Sequence, residues 1–91
     1  MDEAEAKARL SQLVSSEVLA DLTKLKIIKL LAIKEMCEYE LIFTLNSKSV
    51  PEHAKALEKA GIVKSRREGL RLFYSLANPE IGKLLTDSKL S

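Results

Sequence analysis

Two side chains offer soft-metal or thiol chemistry: Cys37 and His53, the only cysteine and the only histidine in the chain. A tight soft-metal site needs three or four nitrogen or sulfur ligands. One thiol and one imidazole are too few, and two Cys37 thiols across a dimer would supply only two. No metal and no other cofactor is therefore expected. A redox or electrophile role for Cys37 would require a stabilised thiolate. The plainer reading is a small, partly buried side chain. No Ser or Cys stands with a His and an acid in a catalytic order, no glycine-rich phosphate loop occurs, and no paired carboxylates form a recognisable motif. The sequence reads as a binding protein rather than an enzyme.

What remains is charge. The net charge is only +2, but it is unevenly spread. Residues 1–45 carry six basic and eight acidic groups, and residues 77–91 balance. Residues 46–76 carry seven basic groups (Lys48, Lys55, Lys59, Lys64, Arg66, Arg67, Arg71) against three acidic ones (Glu52, Glu58, Glu68). A polyanion could dock on that block; a solvated basic face is the alternative.

The elements that carry this block follow from periodicity. Residues 2–19 form a first helix with the stripe Leu10, Leu13, Val14, Leu19. Asp21 is an N-cap for a second helix over 22–33, with Leu22, Leu25, Ile28, Leu31 and Ala32 on one stripe. Ile27 and Leu30 widen that stripe. A third helix of about two turns has Tyr39, Leu41, Ile42 and Leu45 as apolar positions. Asn46-Ser47-Lys48 breaks it, Asn tolerating the left-handed conformation that ends many helices. Ser49 and Glu52 then stand in capping-box order. A fourth helix over 50–60 turns Val50, Ala54 and Leu57 inward and stops at Gly61. The period next changes to two. Ile62, Val63, Leu70, Leu72, Phe73, Tyr74 and Leu76 surround a polar tip, Ser65-Arg66-Arg67-Glu68-Gly69, which predicts a β-hairpin. Pro79 opens a last short helix with Ile81, Leu84 and Leu85 at core spacing.

The fold class is mostly α with a β-hairpin wing: a winged helix-turn-helix in one domain over 1–91. The helix-turn-helix spans about 37–60, the wing about 62–76, and the flanking helices about 2–19 and 79–88. In such a fold the second helix of the pair enters the major groove and the ribbon tip meets backbone or minor groove. Lys48, Ser49 and Lys55 then lie at the groove entrance. Lys64, Arg66, Arg67 and Arg71 line the ribbon, where arginine pairs with phosphate or a narrow minor groove. No structural duty is evident for Arg66 or Arg67. Glu52 either accepts from a cytosine amino group or completes the cap. His53 either meets phosphate or a base edge, or packs as a flank residue on the hairpin.

Three stretches resemble the ArsR/SmtB family of winged-helix repressors. They are Leu19-Ala20-Asp21-Leu22-Thr23-Lys24-Leu25-Lys26-Ile27-Ile28-Lys29-Leu30-Leu31, His53-Ala54-Lys55-Ala56-Leu57-Glu58-Lys59-Ala60-Gly61-Ile62-Val63, and Val63-Lys64-Ser65-Arg66-Arg67-Glu68-Gly69 with Leu72-Phe73-Tyr74-Ser75-Leu76. Together they span roughly 19–78. The resemblance implies sequence-specific binding of double-stranded DNA and transcriptional repression. It does not imply metal sensing: Cys37-Glu38-Tyr39 keeps only the first thiol of a C-x-C pair, and residues 79–91 hold no histidine. Pro51 and Glu52 also stand where the family commonly has Ser and Arg.

The stripes Leu10/Leu13/Val14 and Ile81/Leu84/Leu85 exceed what one small core needs, so a symmetric homodimer built on them is expected. A single cysteine excludes an intrachain disulfide, and the acidic start lacks the order of a secretory signal. No apolar run approaches the ~20 residues of a membrane span. These features predict a cytoplasmic protein with no membrane partner. The competing reading is a winged-helix protein-interaction module whose basic wing meets an acidic protein.

Overall fold

The computed structural model describes residues 2–88, with the Ser88 side chain left aside. Six helices and three strands follow in order: α1 Glu3–Leu13, α2 Ser16–Leu19, α3 Leu22–Ile33, β1 Met36–Cys37, α4 Glu38–Leu45, α5 Val50–Lys59, β2 Val63–Glu68, β3 Arg71–Leu76 and α6 Pro79–Ser88. This is a winged helix-turn-helix: mostly helical, with a hairpin after the second helix of the pair.

Each helix start has a local cause. Asp2 accepts from the Glu5 N–H at 2.8 Å and caps α1. Asp21 accepts from the Lys24 N–H at 3.1 Å and caps α3, as its position predicts. The single helix expected over 2–19 is in fact two. Val14 is extended (φ −131°, ψ 127°), and Ser15 restarts the chain by accepting from the Val18 N–H at 3.3 Å. Val14 and Val18, on either side of the break, are both buried in the core.

The turn between α4 and α5 departs from expectation in its cap. Asn46 is left-handed (φ 49°), as predicted. Ser49, however, makes no cap bond to α5 and has helical backbone angles. Its hydroxyl lies 2.8 Å from that of Ser47 instead. The reciprocal Ser49–Glu52 box is therefore absent, while Pro51 occupies the first turn of α5.

A third strand was not anticipated. β1 pairs antiparallel with β3 (Met36 opposite Tyr74, Cys37 opposite Phe73), giving the order β1-β3-β2. The hairpin is also longer than expected. β2 and β3 stay in register to the pair Glu68–Arg71, so the turn is only Gly69 and Leu70. Gly69 has φ 61°, the left-handed value that a II′ hairpin requires at its first central residue. Arg66 and Arg67 are thus strand residues, not tip residues.

The core joins Leu25, Ile27, Ile28 and Leu31 of α3 with Leu41, Val50, Ala54, Leu57, Val63, Tyr74 and Leu76. Two inward assignments fail. Leu22 is 59% and Tyr39 68% exposed, each on the solvent side of its helix. Gly82 of α6 lies so close to α3 that a Cβ there would stand 2.7 Å from the Ala32 Cβ; only glycine permits that approach.

α1 packs directly on α6. Leu10, Val14, Ile81, Leu84 and Leu85 are all buried within the single chain, and Leu13 packs against the same core. The apolar surplus that was to build a dimer is consumed by the protomer itself. Periodicity identified the buried faces correctly but not the surface that buries them. Arg9 adds a polar tie across the seam, 3.2 Å from Glu80.

Candidate nucleic-acid interface

α5 is positioned by its apolar face. Val50, Ala54 and Leu57 recur at i, i+4 and i+7 and have no exposure at all. The opposite side carries Glu52, Lys55 and Lys59, all exposed, with exposed Lys48 and half-buried Ser49 just before the helix. The structure therefore brings Lys48, Ser49, Glu52 and Lys55 together at the α5 entrance. Lys59, absent from the sequence-derived set, extends the same exposed edge by one turn.

His53 lies on a flank of α5 and is fastened to the start of α3. Its Nδ1 lies 3.1 Å from Nζ of Lys24 and 3.6 Å from Oδ2 of Asp21. Lys24 also bonds Asp21 at 3.0 Å. An ammonium has donors only, so the Lys24 contact suits a neutral imidazole that accepts at Nδ1 and carries its proton at Nε2. The backbone and side-chain hydrogen bonds from Lys24, aided by the His53 charge when present, hold the Asp21 carboxyl below its ordinary range. The packing expected on the hairpin is thus replaced by a polar contact with α3.

Alternation along β2 sorts the ribbon residues. Val63, Ser65 and Arg67 share the face of Tyr74 and Leu76, which are buried. On that face the Ser65 hydroxyl donates to Glu58 of α5 at 2.5 Å, so Arg67 extends from the side of the ribbon that is tied to α5. Lys64, Arg66 and Glu68 occupy the other face, together with Arg71 and Phe73. The basic residues are thus divided between two faces, not gathered at one tip.

Arg66 does have a structural duty. Its Nη2 and Nε bond the two carboxylate oxygens of Glu35 at 2.7 and 3.1 Å, and its Nη1 bonds Glu68 at 2.6 Å. The guanidinium carbon lies 4.6 Å from the centroid of the Phe73 ring. The Arg66 hydrogen bond holds the Glu35 carboxyl below its ordinary range, and the two carboxylates push the guanidinium pKa further up. Glu35 is 31 residues away in sequence, and nothing in its surroundings flags it. No ion pair or side-chain hydrogen bond engages Lys48, Lys55, Lys64, Arg67 or Arg71 among the described residues.

Cys37 is buried at the N-terminus of α4, its N–H donating to Glu40 at 3.3 Å. Among the described residues no group of three or more His, Cys, Asp or Glu side chains is placed to hold a metal ion. Tyr74 is fully buried, and its hydroxyl has no hydrogen-bond partner among the described residues. Burial, then the Glu38 and Glu58 carboxylates, push its phenol pKa up. No helix among the described residues is long and apolar enough to cross a membrane.

Residues 21–65 match the family model described as "Bacterial regulatory protein, arsR family". The chain is 37% identical over 68 residues to the uncharacterized HTH-type transcriptional regulator MJ1325 of Methanocaldococcus jannaschii, covering 71% of this chain and 76% of that one. It is 34% identical over 73 residues to the HTH-type transcriptional regulator KmtR of Mycobacterium tuberculosis, covering 78% of this chain. It spans only 56% of that relative's length. Among solved structures, it resembles the homodimeric winged helix-turn-helix DNA-binding domain Mb0332 of Mycobacterium bovis, described as a possible ArsR-family regulator. The TM-score is 0.70 at 26% identity, over 91% of this chain and 74% of that one.

Proposed function

The chain belongs to the arsR family of regulatory proteins, and from that premise we propose that it binds double-stranded DNA as a homodimer and represses transcription in the cytoplasm. The observation that carries this reading is the α5 surface. One side of the helix is entirely committed to the core. The other presents Lys48, Ser49, Glu52 and Lys55, with Arg67 on the ribbon face tied to α5 through Ser65 and Glu58.

In this reading α5 enters the major groove. Lys48, Lys55 and Arg67 contact phosphates, while Ser49 and Glu52 meet base edges. His53 offers its Nε2–H, because Lys24 engages Nδ1. Lys64 and Arg71, on the outer ribbon face, reach flanking backbone. The homodimer is supported by the homodimeric Mycobacterium bovis domain. With the apolar stripes of α1 and α6 already buried, the interface uses the remaining faces of those helices. Two half-sites about one helical turn apart follow from that symmetry.

The test is selection of binding sites from random duplexes, followed by titration of the selected site at several salt concentrations. A two-fold symmetric site should emerge, bound above the non-specific background. The logarithm of affinity should fall linearly with that of salt, with a slope of about −0.9 per phosphate contact. Absence of salt-dependent duplex binding, together with binding to acidic proteins, would move the assignment to a protein-interaction module.

A further inference from the structure

On the DNA-binding reading, we infer that Glu35 is a positioning residue that withholds Arg66 from DNA, leaving Arg67 as the phosphate-binding arginine of β2. The two arginines are sequence neighbours with opposite surroundings. Arg66 uses all three guanidinium nitrogens within the protein: Nε and Nη2 on Glu35, Nη1 on Glu68. Phe73 lies against its flat face. A phosphate would have to displace a bidentate carboxylate, the geometry that guanidinium binds most strongly. It would also meet two carboxylates around one cation, a local charge that repels it. Arg67, on the other face of β2, faces no such competitor.

The clamp also sets where the ribbon stands. Glu35 immediately precedes β1, and β1 is hydrogen-bonded to β3. The Arg66–Glu35 fork therefore crosses the whole sheet, joining β2 at one edge to the chain entering β1 at the other. It ties the hairpin to the chain entering β1, while the inner face that carries Arg67 is held beside α5 separately, by the Ser65–Glu58 bond.

The experiment is a double-mutant cycle read as the salt slope of duplex binding. In the wild-type background, Arg67→Ala should flatten the slope by about 0.9, one phosphate's worth. Arg66→Ala should leave it unchanged. Glu35→Gln should steepen it by up to about 0.9 as Arg66 is released. That gain should vanish in Glu35→Gln/Arg66→Ala, whereas mere removal of a negative charge would persist there. Folding is compared by circular dichroism. Should Arg66→Ala not fold, Glu35→Gln alone decides, and an unchanged or flatter slope overturns the inference. If the wild type binds duplex but Arg66→Ala flattens the slope as much as Arg67→Ala does, the clamp is overturned and the DNA-binding reading stands. If the wild type shows no salt-dependent binding, both fall.

Discussion

Nζ of Lys24 lies 3.1 Å from Nδ1 of His53, so the first turn of α3 grips the flank of α5 through a single polar contact. Asp21 completes the arrangement by capping α3 and bonding Lys24. One carboxylate thus caps the start of a helix and pairs with the lysine that contacts the imidazole beside the proposed reading surface. α5 is thus held by apolar packing on its inner face and by this charge-assisted chain on its flank.

Asp21 should matter to acid stability. Its folded pKa lies below its ordinary 3.8, so its contribution is fully present above the unfolded pKa and is lost as pH falls through the folded one. Asp21→Ala is expected to lower stability by about 0.5–2 kcal/mol at neutral pH, the range for losing a cap. The difference from wild type should shrink below about pH 4. Urea melts across pH 2–7 check this; a difference that grows with acidity contradicts it.

Leu84 separates a core role from an interface role. It is 1% exposed in the lone protomer, so Leu84→Ala should destabilise the fold by about 2–5 kcal/mol. If Leu84 served chiefly the dimer, the variant would be a folded monomer with little loss of protomer stability. Sedimentation together with thermal melts distinguishes the two.

Gly82→Ala should be overpacked. The added Cβ would meet the Ala32 Cβ at 2.7 Å and its Cα at 3.3 Å, and such crowding typically costs about 1–3 kcal/mol. Ala32→Gly in the same chain removes the closer contact and should recover part of the loss. Non-additivity in denaturant melts of the two single variants and the double variant is the measurement.

How far these features could be read in advance depended on the range of the cause. The α3 cap at Asp21, the left-handed Asn46 and the α5 stripe Val50/Ala54/Leu57 all rest on neighbours within one or two turns, and each was legible. The cap at Ser49 was not, because the nearby Ser47 hydroxyl competes for the same side chain. β1 is two residues long, too short for alternation to register. The Arg66 clamp joins positions 31 residues apart, and no local pattern announces such a pair. The stripes of α1 and α6 were recognised as buried, yet their mutual packing is a tertiary fact that periodicity does not contain.

The proposed interface divides into residues that hold and residues that read, and the two should respond differently. Arg67 sits on a regular strand away from the α5 entrance, so its contact is with backbone common to every duplex. Arg67→Ala should weaken binding to selected and unrelated sequences alike. Ser49 and Glu52 stand at the start of the groove-entering helix, where base edges come within reach. Ser49→Ala should alter the preferred sequence, at a cost of about 1–3 kcal/mol on the original site if a base contact is lost. Glu52 makes no cap bond with Ser49, so its carboxylate is free to select and to repel. Glu52→Gln should tighten non-specific binding by removing a charge near phosphate while reducing discrimination at one base pair. Repeating the random-duplex selection with each variant checks all three. Unchanged preferences for Ser49→Ala and Glu52→Gln, with altered preferences for Arg67→Ala, would invert the assignment and place the reading surface on the ribbon rather than on α5.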